Sequence, residues 1–262
     1  MDRFVVFSTL ISSLARMPIR LSAKSKALNK QLLLISTSKI HGSDYLAYLH
    51  ETLDHYLSDC RELIFVPFAR PGGISHDDYT QLPQRALAPL DVEVRGLHRF
   101  NNPSEAIRNA PAVFIGGGNT FLLLKSLYAL ELLEPIREAV AQGTRYLGSS
   151  AGSNVAGLTI GTTNDMPIVY PPSFEALALV DFNINPHYLD PLSNSRHMGE
   201  TRETRIGEFH HFNSQPVLGL REGSWLEVNG NQLTLGGELS ARLFRSGQQA
   251  EELPPGPLKA FG

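Results

Sequence analysis

The residues Gly148-Ser149-Ser150-Ala151-Gly152 have the Gly-x-Ser-x-Gly form of a nucleophile elbow. They close the short apolar run that starts at Arg145, and the residues after them can start a helix. A strand that turns sharply into a helix leaves the central side chain at the tip, and the flanking glycines permit a backbone approach that a larger residue would block. Ser150 is thereby presented as a nucleophile. The N–H of Ala151 is among the first of the helix and has no partner inside it, so the same turn offers half of an oxyanion hole. Taken alone, the pentapeptide also fits a phosphate-binding turn or a plain chain reversal.

A serine hydroxyl is a poor nucleophile without a base of near-neutral pKa. His187 stands just after the alternating run Val180 to Ile184, at the end of an expected strand. Asp165, before an apolar run, and Glu222, after the run Pro216 to Leu220, both qualify as the acid that orients it, and Asp165 equally as a turn former or a binding carboxylate. Gly116-Gly117-Gly118-Asn119 follows the run Ala112 to Ile115, and its glycines let the backbone approach a bound group with N–H donors free. That loop is neither Gly-x-Gly-x-x-Gly nor a phosphate-binding Gly-x-x-x-x-Gly-Lys, although a phosphate cradle and a plain turn are the alternatives to an oxyanion hole. Arg202 and Arg205 lie three apart in a charged helical stretch, where guanidinium groups clamp carboxylates or simply make a solvated face. His197, His210 and His211 are close in sequence, but no His-x-x-x-His or cysteine cluster accompanies them, and no metal is expected.

The elements that must position these groups alternate. Apolar runs at Gln31 to Thr37, Glu62 to Phe68, Val92 to Leu97, Ala112 to Ile115 and Arg145 onward read as strands. Helical spacing lies between them at Tyr45 to Leu57, His76 to Leu90 with a break at Pro83, from Pro103, and from Phe121. Such alternation argues for a doubly wound parallel sheet with ligands at the carboxyl ends of its strands. Trp225 to Phe244 reads as short antiparallel strands turning at Asn229-Gly230-Asn231, and Pro254 to Pro257 as an irregular terminus. The 262 residues, 42% hydrophobic, suffice for one α/β domain, expected over residues 31–262. Residues 1–30 hold an apolar run too short to span a bilayer and then a basic stretch, and are expected to be a poorly ordered extension. A net charge of -3 gives no argument for nucleic acid or an anionic membrane as partner. The single cysteine, Cys60, excludes an intramolecular disulfide, fits a cytoplasmic location, and is expected to be partly buried.

Six segments resemble a known family: Gly116-Gly117-Gly118-Asn119-Thr120, the Ser150 elbow, Thr163-Asn164-Asp165-Met166-Pro167-Ile168, Asn185-Pro186-His187-Tyr188, Gly199-Glu200-Thr201-Arg202 and Arg221-Glu222-Gly223-Ser224. They stand in the order found in the peptidase E family of alpha-aspartyl dipeptidases, and the resemblance runs from about Gln31 to the low 240s. It implies a flavodoxin-like α/β fold with a mostly parallel sheet, related to class I glutamine amidotransferases. It further implies Ser150 as nucleophile, His187 as general base and Glu222 as the orienting acid, which leaves Asp165 as a structural or binding group. Ala151, Gly117 and Gly118 would supply the oxyanion hole, and no cofactor is called for. The implied substrates are small peptides with aspartate at the amino end. Asn119, Thr120, Asp165, Glu200, Arg202 and Arg205 are the candidates to bind them, an arginine taking the side-chain carboxylate and Glu200 or Asp165 standing near the ammonium. The resemblance leaves monomer and homodimer open. The rival readings are a cyanophycinase-like hydrolase of aspartyl-arginine polymer and a non-catalytic module that holds a small anion.

Overall fold

The computed structural model describes residues 30–191 and 199–259. The expectations for residues 1–29 and for His197 lie outside them. Lys30 already belongs to the fold: its carbonyl accepts the N–H of Gly230 at 2.7 Å and its ammonium donates to the Leu179 carbonyl at 2.8 Å.

In chain order the elements are β1 (Gln31–Ile35), α1 (His50–Tyr56), β2 (Glu62–Val66), α2 (His76–Leu87), β3 (Glu93–Gly96), α3 (Pro103–Asn109), β4 (Ala112–Ile115), α4 (Thr120–Ala129), α5 (Leu133–Ala141), β5 (Arg145–Ser149) and α6 (Ala151–Asn154). There follow β6 (Asn183–Pro186), α7 (Arg202–His210), β7 (Val217–Leu220), β8 (Trp225–Asn229), β9 (Gln232–Gly236), β10 (Ala241–Phe244), β11 (Glu251–Leu253) and β12 (Gly256–Pro257).

The apolar runs of β1, β2, β4 and β5 become strands buried on both faces, successive side chains pointing to opposite sides of the sheet, whereas the edge strand β3 buries one face and exposes Glu93 and Arg95 on the other. Leu32, Leu34, Ile64, Val66, Val113 and Ile115 share one core with residues of α3, α4, α5 and α6. The residues between them, Leu33, Ile35, Leu63, Phe65, Ala112 and Phe114, share the other with residues of α1 and α2. The sheet is therefore doubly wound.

Its order is β12-β9-β8-β1-β5-β4-β2-β3. The strands β1, β5, β4, β2 and β3 are parallel, and β8, β9 and β12 continue the sheet antiparallel. Counted from β2, the parallel strands follow the flavodoxin order, with β1 in the place of the fifth strand. The order reverses between β2 and β4, so the loops after these two strands border the crevice where ligands of such sheets bind.

The strands β6 and β7, to which sequence assigned no sheet, pair parallel in a separate four-stranded sheet of order β11-β10-β7-β6. Three readings from sequence need correction. Pro254 to Pro257 is not irregular: Gly256 and Pro257 pair with β9 at the sheet edge, where a proline without an N–H is tolerated. The helix α2 runs through Pro83, whose ring is buried and whose packing outweighs the one helical bond it cannot make. Cys60 is buried, only 1% exposed, and its sulfur accepts from Arg145 Nη1 at 3.1 Å.

Candidate active site

The turn from β5 into α6 is as tight as its sequence requires. Ser150 adopts φ 53° and ψ −110°, a conformation that stores about 1–3 kcal/mol of strain in a non-glycine residue. A Cβ at Gly148 would lie 2.5 Å from the Gly152 carbonyl oxygen, and one at Gly152 only 2.0 Å from that of Ile115, so neither position admits a side chain. The Ser150 N–H bonds the Ile35 carbonyl at 3.0 Å, and the buried Ser153 hydroxyl reaches the carbonyls of Ile35 and Gly148 at 2.7 and 2.8 Å. The elbow is thus moored to the end of β1.

His187 and Glu222 arrive from the second sheet, beyond the ends of β6 and β7. His187 Nε2 lies 2.9 Å from Ser150 Oγ, and Nδ1 lies 2.6 Å from Glu222 Oε1. A carboxylate at Nδ1 favours the tautomer whose Nε2 is free to accept the serine proton. His187 also has positive φ, 53°. Its N–H donates to Ser36 Oγ at 2.9 Å, and that hydroxyl donates to the Leu220 carbonyl at 2.8 Å. Beside Glu222, the Arg221 guanidinium makes paired bonds to Asp190 at 2.7 Å and to Glu252 at 2.9 Å. These carboxylates raise the Arg221 pKa above its ordinary value. Arg242 extends the network to Glu252 and Glu203, joining β7, β10, β11 and α7 behind the site.

The glycine loop lies against the serine. A Cβ at Gly117 would stand 3.0 Å from Ser150 Cβ, and one at Gly118 2.3 Å from the Ala69 carbonyl oxygen; Gly118 has φ 142°. The N–H groups of Gly116 and Asn119 bond the Val66 and Ala69 carbonyls at 3.3 and 2.7 Å. Those of Gly117, Gly118 and Ala151 donate to nothing among the described residues. Gly117 packs against Ser150 and Ala151 follows it in the chain, and unsatisfied donors beside a serine are what an oxyanion needs.

The remaining candidates divide. Asp165, the alternative orienting acid from residue position, makes no bond to His187; its Oδ2 accepts from the N–H and hydroxyl of Thr120 at 2.7 and 2.6 Å, at the start of α4. Asn119 caps the same helix through the Leu122 N–H at 3.1 Å and donates to the Met166 carbonyl at 2.9 Å. Arg205 and Glu200 form a loose, exposed pair at 3.9 Å. Arg202, the first residue of α7, is half-buried and makes no hydrogen bond or ion pair among the described residues. Burial pushes its pKa down, the charge of Arg205 adds to this, and the charge of Asp165 opposes it. His210 Nε2 lies 3.1 Å from the Gln215 carbonyl. Among the described residues no three His, Cys, Asp or Glu side chains group to hold a metal, and no helix is long and apolar enough to cross a membrane.

A serine on a strained strand-to-helix turn, in line with a histidine and a carboxylate, is the arrangement of the serine hydrolases. The chain belongs to peptidase family S51, which it matches over residues 32–236. It is 51% identical over 229 residues to the "Probable alpha-aspartyl dipeptidase" of Drosophila melanogaster, covering 86% of this chain and 94% of that one. It is also 51% identical over 225 residues to the peptidase E of Streptomyces coelicolor, covering 86% and 91%. In fold it resembles the crystal structure of a peptidase from an acI-B1 actinobacterium, with a TM-score of 0.66 at 16% identity over 88% of this chain and 96% of the other.

Two polar contacts in the site had no sequence signal. Ser36 is one serine after an apolar run, and Tyr79, whose hydroxyl bonds the Gly117 carbonyl at 2.8 Å, is one aromatic on the buried side of α2.

Proposed function

We propose that this protein is a serine dipeptidase that hydrolyses Asp-Xaa dipeptides through Ser150, His187 and Glu222. The observation that carries the reading is the continuous chain of contacts from Ser150 Oγ through both ring nitrogens of His187 to Glu222, 2.9 and 2.6 Å long. The printed name of the Drosophila relative supports aspartate as the amino-terminal residue.

In this reaction Ser150 Oγ bonds the carbonyl carbon of the aspartyl residue while its proton passes to His187 Nε2. A positioned base of this kind is worth about 10²- to 10⁴-fold. The negative oxygen of the tetrahedral intermediate is held by N–H groups of Ala151, Gly117 and Gly118, each worth about 3 kcal/mol. Collapse breaks the C–N bond, and His187 gives its proton to the leaving amine. Water then attacks the acyl-enzyme, His187 again taking the proton and returning it to Ser150. Glu222 stabilises the imidazolium in both halves without taking the proton itself.

Selection for aspartate requires a cation for the side-chain carboxylate and an acceptor for the ammonium. Arg202 is the cation in this proposal, because its half-buried guanidinium makes no ion pair among the described residues. Asp165 keeps free lone pairs beyond its bonds to Thr120 and is the acceptor in preference to Glu200, which pairs with Arg205. The enzyme acts as a monomer or homodimer, and in the cytoplasm, the location being the reading that its one buried, unpaired cysteine fits.

The test is hydrolysis of Asp-Leu, beta-Asp-Leu, Glu-Leu and Leu-Leu. Cleavage of Asp-Leu at least about 100-fold faster than Leu-Leu is expected, the discrimination one buried charge pair supplies. Equal rates on all four would contradict the carboxylate pocket. No dipeptide cleavage together with release of aspartyl-arginine from its polymer would replace the dipeptidase by a polymer hydrolase.

A further inference from the structure

Tyr79 reaches the back of the glycine loop. Its side chain is buried, and its ring stands edge-on to Phe65 with 5.0 Å between centroids. The hydroxyl donates to the Gly117 carbonyl at 2.8 Å. The fit is close, since a Cβ at Gly116 would lie 2.6 Å from that hydroxyl and 2.7 Å from the edge of the Phe65 ring. Burial raises the phenol pKa above its ordinary value of 10.0, so the group is a neutral donor at physiological pH.

A trans peptide holds its C=O and N–H in one plane and in opposite directions. A bond that fixes the Gly117 carbonyl therefore also fixes the N–H of Gly118. The same bond polarises the amide, which makes that N–H a stronger donor. Two adjacent glycines impose little orientation of their own, so the loop needs an external restraint. At its ends the restraint comes from the Val66 and Ala69 carbonyls, and in the middle from Tyr79.

We propose that Tyr79 is a positioning residue of the oxyanion hole, locking the Gly117–Gly118 peptide so that the Gly118 N–H meets the charge developing on the substrate carbonyl. This inference rests on the serine-peptidase reading above. The phenol touches no reacting atom and acts only through the peptide.

Tyr79→Phe keeps the ring against Phe65 and removes only the hydroxyl. The variant and wild type are compared in Asp-Leu hydrolysis and in inhibition by an aldehyde analogue of the aspartyl residue, whose hemiacetal with Ser150 places an oxyanion in the hole. The expected result is a loss of about 10- to 100-fold in both kcat and aldehyde affinity, with KM changed less than about threefold. Tyr56→Phe serves as comparison, since it deletes a tyrosine hydroxyl bound to the Tyr146 carbonyl at 3.2 Å, near the opposite end of β5. It should leave kcat and aldehyde affinity unchanged. Values for Tyr79→Phe within about twofold of wild type, or equal losses in Tyr56→Phe, would overturn the assignment, because the loss would then not be specific to the oxyanion. A wild type that neither cleaves Asp-Leu nor binds the aldehyde overturns the peptidase reading and this inference with it. An active wild type with an unaffected Tyr79→Phe overturns this inference alone.

Discussion

Ser36 Oγ accepts the backbone N–H of His187 at 2.9 Å, across the seam between the two sheets. The same buried hydroxyl donates to the carbonyl of Leu220, two residues before Glu222, and Ile35 beside it accepts the N–H of Ser150. One short segment at the end of β1 thus ties together the chain segments that carry all three proposed catalytic side chains. Ser36→Ala leaves the His187 N–H without its acceptor, which should cost about 1–3 kcal/mol of stability. Its kcat should fall about tenfold through the loosened Ser150–His187 contact, with a smaller change in KM. Urea unfolding and steady-state kinetics measure the two effects, and an unchanged kcat would mean that the paired strands alone hold His187.

Glu222→Gln keeps the size of the side chain and removes the charge that faces Nδ1. The imidazole then loses both its preferred tautomer and the partner of its protonated form, and kcat is expected to fall about 10²- to 10⁴-fold with KM little changed. A fall of less than about threefold would show that His187 needs no orienting carboxylate.

Arg221 holds the carboxyls of Asp190 and Glu252 below their ordinary values of 3.8 and 4.5, chiefly by its hydrogen bonds to them. A carboxyl whose pKa is depressed in the folded state stabilises the fold above its unfolded value. That contribution is lost as pH falls through the folded value. Arg221→Met should therefore be less stable than wild type at neutral pH, and the gap should narrow as pH drops below the ordinary carboxylate values. Unfolding free energies measured from pH 7 to pH 3 test this, and a gap that stays constant would contradict it.

Arg202→Ala removes a guanidinium that makes no bond or ion pair among the described residues. Loss of one member of a desolvated pair with the substrate should lower kcat/KM for Asp-Leu by about 2–5 kcal/mol of transition-state binding. Activity on Leu-Leu and the thermal midpoint should stay as in wild type. Equal losses on Asp-Leu and Leu-Leu would remove Arg202 from the specificity pocket.

The parallel core was legible because its strands β1, β2, β4 and β5 are apolar runs covered on both sides, and the elbow because glycines two residues either side of Ser150 have a steric consequence no other residue tolerates. Sequence placed Ser150, Gly117, Gly118, Ala151, His187 and Glu222 at element ends, and the fold brings those ends together. The division into two sheets was not legible. Val217 to Leu220 is as apolar as Ala112 to Ile115, and nothing in such a run tells which sheet it joins. Asp165 shows the limit in another way: a carboxylate before an apolar run reads alike whether it orients a histidine or caps Thr120. Ser36 and Tyr79 act through backbone groups brought from over a hundred and from 38 residues away, a relation that exists only once the chain is folded.

The central claim, that Ser150 is the nucleophile of an aspartyl dipeptidase, is tested most directly by Asp-Leu turnover in wild type and in Ser150→Ala at equal protein concentration. The account predicts turnover by wild type and a rate at least about 10⁴-fold lower in the variant, since loss of the nucleophile leaves only binding and the oxyanion hole. Ser150→Ala that cleaves Asp-Leu within about tenfold of wild type would contradict it.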